Sequence, residues 1–205
     1  SSNVTPYVAG NVNVVVNGGV ISNLYGGNDL NGEPNGEVTI ELNSGVITNA
    51  YGGGNNTLVS NTNVYQNNAT VTNLYGGSNK SGDVEHSNIV VDGGVTETLY
   101  GGNNSGGVTS VTDILVNSGN VTSLYGGGAY TDTSDSNIVV KNGEIGTIYG
   151  GGREASIITD TNIVVDGGNI SYLYGGSNVL GNVPTTYITV NNGTLGEIYG
   201  GNNSG

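Results

Sequence analysis

The sequence repeats one short motif eight times: an apolar residue, a tyrosine and two glycines. The gaps between successive tyrosines are 26, 24, 25, 25, 24, 25 and 25 residues, and the tyrosines are Tyr25, Tyr51, Tyr75, Tyr100, Tyr125, Tyr149, Tyr174 and Tyr199. A period this regular predicts one supersecondary unit stacked on copies of itself. Because such units contact mainly their neighbours, we expect residues 1–205 to form a single elongated domain.

Each repeat contains a short β-branched run that ends in a tight turn. In the seventh repeat, Asn162 to Val165 is followed by Asp166-Gly-Gly, which is typical of a strand leading into a glycine turn. Residues two positions apart share one face of a strand. The aligned pairs expected to form the core are Val14/Val16, Ile40/Leu42, Val64/Gln66, Ile89/Val91, Ile114/Val116, Ile138/Val140, Ile163/Val165 and Ile188/Val190.

The segment between the turn and the tyrosine carries apolar residues three positions apart, as at Ile170 and Leu173. Only the fourth repeat departs from this, with Thr96 before Leu99. A spacing of three favours a strand with a bend or bulge. After Tyr-Gly-Gly, a variable segment often contains one apolar anchor and predicts a third short strand; the anchors include Val59, Val84, Ile158 and Val183.

These units predict an all-β fold without helix. Three short strands in about 25 residues are typical of one rung of a parallel β-helix, so we expect a β-solenoid of about eight rungs. Equivalent strands would then pair rung on rung at about 4.8 Å. The Asn-Gly turns leave one alternative open, an antiparallel meander of hairpins.

The combination of a Val/Ile-rich strand, an Asn-Gly-Gly turn and Ile-x-x-Leu-Tyr-Gly-Gly resembles the repeat regions of large bacterial cell-surface, adhesin-like proteins with right-handed parallel β-helix character. The likeness extends from about Val12 to Gly201. It implies an exported, extracellular, non-enzymatic segment with a structural or adhesive role, and we expect the chain to be a fragment of a longer protein. Such folds also serve polysaccharide lyases and phage fibres, so a polysaccharide lyase or hydrolase is a further hypothesis.

The charge balance limits the classes of partner. Sixteen acidic residues stand against Lys80, Lys141 and Arg153, for a formal net charge of −13. Nucleic-acid affinity depends on lysine and arginine that release counterions, so we expect no nucleic-acid partner. No run of 18 apolar residues is present, and we expect no membrane insertion. The absence of cysteine excludes disulfides and thiolate chemistry.

The eight repeated tyrosines are the candidate ligand-binding residues. If Leu24 and its counterparts point inward, strand alternation turns Tyr25 and its counterparts outward, beside glycines that leave the rings uncovered. A column of such rings could bind a glycan through apolar contact and hydroxyl hydrogen bonds. The alternative is that these tyrosines pack at a corner of the coil.

Two acidic loops are candidate calcium sites, since calcium prefers clustered oxygen ligands. The candidate ligands are Asp29, Asn31 and Glu33 in one loop and Asp132 and Asp135 in the other. Apart from calcium we expect no cofactor. The only histidine, His86, lacks the partners that an acid/base or metal site requires, so we interpret it as a surface residue.

An outward stripe on the first strand is more apolar than a solvated sheet face needs. The stripe predicts a cover, which is another copy of the chain, a partner such as a host or neighbour-cell surface protein, or an irregular loop. It contains Val15, Glu41, Tyr65, Val90, Leu115, Val139, Val164 and Thr189.

Overall fold

A computed structural model describes residues 7–204 of the chain. The described residues form fourteen β-strands and no helix, and the strands are β1 (Val12–Tyr25), β2 (Val38–Tyr51), β3 (Val59–Gln66), β4 (Thr70–Tyr75), β5 (Val84–Val91), β6 (Val95–Tyr100), β7 (Thr109–Val116), β8 (Asn120–Tyr125), β9 (Thr133–Val140), β10 (Glu144–Tyr149), β11 (Asp160–Val165), β12 (Asn169–Tyr174), β13 (Thr185–Val190) and β14 (Thr194–Tyr199). Among these residues there is no helix that could cross a membrane.

The strands wind into a parallel β-solenoid of about eight rungs, each about 25 residues long, as the repeat predicts. We number the rungs by their tyrosines, from rung 1 with Tyr25 to rung 8 with Tyr199. The first column consists of the first halves of β1 and β2, followed by β3, β5, β7, β9, β11 and β13. The second column consists of the second halves of β1 and β2, followed by β4, β6, β8, β10, β12 and β14. Every pair of strands in residues 7–204 is parallel, so the antiparallel meander is wrong.

The third side of each rung differs from the short strand predicted there. Val59 and Val84 are the first residues of β3 and β5, so these two anchors extend the first column. In rung 7 the buried anchor is Ile157, while Ile158 is 56% exposed. The third side is joined by isolated parallel bridges and by loop hydrogen bonds such as Gly77 N–H to the Gly102 carbonyl, because its variable loops prevent a continuous strand.

The core consists of the inward residues of both columns. The predicted pairs of rungs 2 to 7 are buried, and they pack against the apolar residues that precede each tyrosine. Gln66 takes a core position in rung 3, where its Nε2 donates to the Ala69 carbonyl at 2.6 Å. Glycine is needed at the turn between the columns, since Gly168 has φ +87° and Gly193 φ +112°.

A row of hydroxyls inside the first column, buried in rungs 3 to 7 and half-buried in rung 8, was not predicted from the sequence. In rungs 3 to 8 the residue two positions before the first core residue is serine or threonine, and its hydroxyl donates to the carbonyl of the first glycine of Tyr-Gly-Gly at 2.6–2.8 Å. The row consists of Thr62, Ser87, Thr112, Ser136, Thr161 and Thr186. Glycine is required beside it, because a Cβ on Gly76 would lie 1.9 Å from the Ser87 hydroxyl.

Candidate functional site

The eight tyrosines form one unbroken stack along the solenoid. Neighbouring ring centroids lie 4.8–5.2 Å apart, and the ring planes differ by only 7–12°. Each ring therefore covers a face of the next at the spacing of the parallel strands. The register of β1 through β14 produces this geometry, because each tyrosine is paired with the tyrosine of the next rung.

The stack is a second apolar cluster, separate from the main core. Tyr51, Tyr75, Tyr100, Tyr125 and Tyr149 are only 4–9% exposed, and Ala129 packs with them. These rings are thus covered rather than open beside the glycines, since each of these tyrosines is buried in the stack while the residue before it is buried in the main core. Tyr199, in rung 8, is 44% exposed.

A row of mostly amide side chains borders the stack, at the fourth position after each tyrosine. It consists of Asp29, Asn55, Asn79, Asn104, Ala129, Arg153, Asn178 and Asn203. Along it, amides hydrogen-bond from rung to rung, as between Asn79 Nδ2 and Asn55 Oδ1 at 2.9 Å. Such amide ladders are a feature of stacked parallel strands.

The same row supplies partners for tyrosine hydroxyls two rungs away. Asn178 Nδ2 donates to the Tyr125 hydroxyl at 2.9 Å, and Asn79 Nδ2 approaches that of Tyr25 at 3.4 Å. Where the row contains Ala129, the corresponding hydroxyl of Tyr75 has no hydrogen-bond partner in residues 7–204.

Burial changes the acidity of the stacked phenols. Desolvation, followed by repulsion from neighbouring phenolates, raises the pKa of Tyr75 well above its usual range and that of Tyr149 to about 12. Burial also raises the pKa of Tyr125, and the hydrogen bond from Asn178 offsets part of that rise. These hydroxyls therefore remain protonated at neutral pH and serve as hydrogen-bonding groups.

The stack thus has little ring surface available for a ligand in its central rungs. A glycan placed on it would meet the edges and hydroxyls of the rings instead of their faces. Ligand binding by the tyrosines stays a prediction.

The candidate calcium ligands lie in two separate parts of the chain: Asp29, Asn31, Glu33 and Asp132 are exposed and outside the strands, whereas Asp135 is half-buried. In the first loop, Asp29 Oδ1 accepts a hydrogen bond from Asn55 Nδ2 at 2.7 Å, and the Asn31 carbonyl accepts one from Asn28 Nδ2. In the second, Asp132 Oδ1 accepts from the Ser156 N–H at 2.8 Å, while Asp135 lies within β9. No three acidic, histidine or cysteine side chains in residues 7–204 are grouped to hold a metal ion, so calcium also stays a prediction.

His86 lies on the outer face of β5, where it is solvent-accessible as expected of a surface residue. Its Nε2 is 2.5 Å from Asp113 Oδ2 of the next rung. This contact joins two rungs of the outer face.

The apolar outward stripe is half-buried from Glu41 to Val164, and only its terminal members Val15 and Thr189 are exposed. Stacking of the rungs covers much of this stripe, and self-association through it stays a prediction.

Exposed tyrosines outside the stack were not singled out from the sequence, and two of them lie on strands. Tyr172 is 43% exposed on the outer face of β12, and Tyr187 is 55% exposed on that of β13. The available signal was positional: the residues aligned with Tyr172 are smaller polar residues or glutamate, including Ser123, Thr147 and Glu197.

No protein-family model, curated protein or solved structure matches the chain.

Proposed function

We propose that the chain is a stiff, non-enzymatic extracellular segment of a bacterial surface protein, acting as a spacer and as a repeated adhesive surface. The unbroken tyrosine stack is the observation that carries this proposal. It keeps one register through all eight rungs, at 4.8–5.2 Å per step.

Stiffness follows from how each rung is attached to the next. Two columns of parallel strands, the loop hydrogen bonds of the third side and the side-chain rows all connect neighbouring rungs. Bending the rod would strain all of these contacts together. By strand spacing, eight rungs measure roughly 34–38 Å.

The adhesive part of the proposal rests on repetition. Equivalent outer positions recur once per rung, as at Asn63, Asn88, Asp113 and Asn137 of the first column. Repeated weak contacts on one rigid body raise avidity without any single strong site.

Single-molecule force measurements on the full chain, pulled through its two ends between marker domains, test the spacer role. We expect resistance followed by repeated length increments of roughly 80–90 Å, the extended length of one rung. Extension at low force without such increments would show that the chain is no mechanical spacer. A scrambled-sequence chain of the same composition is the matched control.

Antibody labelling of intact cells of the encoding organism tests the location. Labelling only after lysis contradicts the extracellular assignment.

Adhesion is tested by attachment of beads coated with the chain to bacterial and host cells. Attachment no better than that of beads coated with an unrelated acidic protein contradicts the adhesive part of the proposal.

A further inference from the structure

An open groove runs along the outer face of the second column, from rung 5 to rung 8, with a volume of about 700 Å³. One rim is formed by the first residues of successive strands, namely Asn120, Glu144, Asn169 and Thr194. The other rim contains Tyr172 and Glu197. Along the rod these groups recur at the strand spacing of about 4.8 Å.

The groove exists because two rungs lack a side chain on its floor. Gly146 and Gly196 lie three positions before the tyrosines of rungs 6 and 8. Their equivalents in the other rungs are Ser22, Thr48, Thr72, Glu97, Thr122 and Ser171. The two glycines therefore leave backbone exposed beside the single aromatic ring of the groove.

Tyr172 differs from the tyrosines of the stack. It is 43% exposed and has no stacked ring partner among the described residues, whereas Tyr149 in the neighbouring rung is 9% exposed and stacked on both sides. An exposed aromatic ring beside flat backbone offers an apolar surface with a hydroxyl at its tip. This suits the C–H face of a sugar ring.

The polar groups around Tyr172 are partly fixed in position. Asn169 Nδ2 donates to Glu144 Oε1 at 2.6 Å across the two rungs, which orients the carboxylate and the amide at one rim. Hydroxyl groups of a sugar can donate to such carboxylates and accept from the amide. Binding sites of this kind combine an apolar surface with a few placed polar groups.

The negative charge of the groove determines which class of glycan it can bind. Glu144 and Glu197 both line the groove, no basic side chain does so, and the chain has a net charge of −13. Uronic acids, sialic acids and sugar phosphates would be repelled. A peptide strand has no free edge to pair with in the middle of the groove, because β10 and β12 each pair with strands on both sides.

We propose that this groove binds an oligosaccharide without acidic groups, laid along the rod with one sugar ring on Tyr172. The site goes beyond the spacer and adhesive role and is distinct from the tyrosine stack. It can therefore fail while the force measurements still support a spacer.

The test uses the full chain and sets of cello-, chito- and manno-oligosaccharides, with oligogalacturonates as acidic probes. Calorimetry gives the affinity, and amide NMR shifts give the location. We expect a neutral set to shift the signals of Glu144, Asn169 and Tyr172, and oligogalacturonates to leave them unchanged.

Variants then locate the contact. Tyr172→Ala should weaken binding about tenfold or more, while Tyr187→Ala, which removes an exposed tyrosine from the other column, leaves the affinity unchanged. Gly146→Thr places on the groove floor of rung 6 the same side chain that rung 5 has at the equivalent position, Thr122. This variant should also weaken binding, because the added side chain fills the groove. A Cβ at Gly146 would lie 2.4 Å from the Thr122 carbonyl oxygen, so the backbone must shift to accept it. The affinity of this variant is therefore interpreted only if its near-ultraviolet circular dichroism spectrum matches that of the parent chain.

The proposal is overturned by the absence of groove shifts with every neutral set at the highest soluble concentration. It is equally overturned by preferential binding of oligogalacturonates, or by an affinity that depends on Tyr187 and not on Tyr172.

Discussion

The side-chain amide of Asn178 donates to the hydroxyl of Tyr125 at 2.9 Å, although the two residues are 53 positions apart in the sequence. The bond spans two rungs, from the amide row to the tyrosine stack. It shows that the stack is secured at its edge as well as through its ring faces, and the interruption of the amide row at Ala129 provides an internal comparison.

Removing the Tyr125 hydroxyl should therefore cost more than removing that of Tyr75. We expect Tyr125→Phe to lower the free energy of unfolding by about 0.5–1.5 kcal/mol, since the half-buried amide of Asn178 loses its acceptor. Tyr75→Phe should change it by less than about 0.5 kcal/mol, because no hydrogen bond is lost. Urea denaturation followed by near-ultraviolet circular dichroism measures both, and equal losses would contradict the role of the amide row.

The buried hydroxyl of Thr161 donates to the Gly175 carbonyl at 2.7 Å. Replacing it in Thr161→Val keeps the shape but leaves that carbonyl unpaired, which should destabilise the fold by about 1–3 kcal/mol. Rung 2 offers the reverse change, because Val38 pairs in register with Thr62 and is fully buried. Val38→Thr should be neutral or stabilising in the same denaturation assay, and a marked loss there would argue against the hydroxyl row.

The fourth rung contains a buried hydroxyl without a hydrogen-bond partner in residues 7–204, at Thr96. Its neighbours in register, Val71 and Val121, are apolar and buried. Thr96→Val should raise the free energy of unfolding by about 1 kcal/mol, because an unpaired buried polar group is removed. The matched control, Val121→Thr, should lower it, and differential scanning calorimetry distinguishes the two signs.

Alkaline pH should unfold the chain through its tyrosine stack. In the folded state the pKa of Tyr149 is raised to about 12 and that of Tyr75 further, against about 10 for an unfolded tyrosine. The stabilisation is therefore fully present below about pH 10 and is lost as the pH rises through the folded-state values. Absorbance at the tyrosinate band and circular dichroism should change together above that pH; early ionisation of the whole stack without unfolding would contradict its burial.

Much of the fold could be predicted from spacing alone. The tyrosine period indicated the rung, the Asp166-Gly-Gly type of turn indicated the corner, and period two identified the inward pairs such as Ile163 and Val165. All three follow from local geometry that repeats, so one register satisfies every copy. The third side was harder, because its variable loops hold only isolated bridges.

The side-chain environments were less predictable. Alternation fails at Leu99 and Tyr100, which are consecutive in β6 and both buried, Leu99 in the main core and Tyr100 in the tyrosine stack. The hydroxyl row was visible as a serine or threonine two positions before the first core residue in rungs 3 to 8, but its carbonyl partner lies 14 residues away and is found only in three dimensions. The groove at Tyr172 arises at positions where single rungs depart from the repeat, namely Gly146, Gly196 and Tyr172. Aligning the repeats by what they share does not draw attention to such positions.

The surface by which one rung contacts the next is repeated along the rod, from the hydroxyl row to the tyrosine ring. Duplicating or deleting one 25-residue unit within the chain would thus recreate contacts that already exist there. The reach of such a rod is then set by copy number, and a gene carrying it can lengthen or shorten its product by unequal recombination without inventing a new interface.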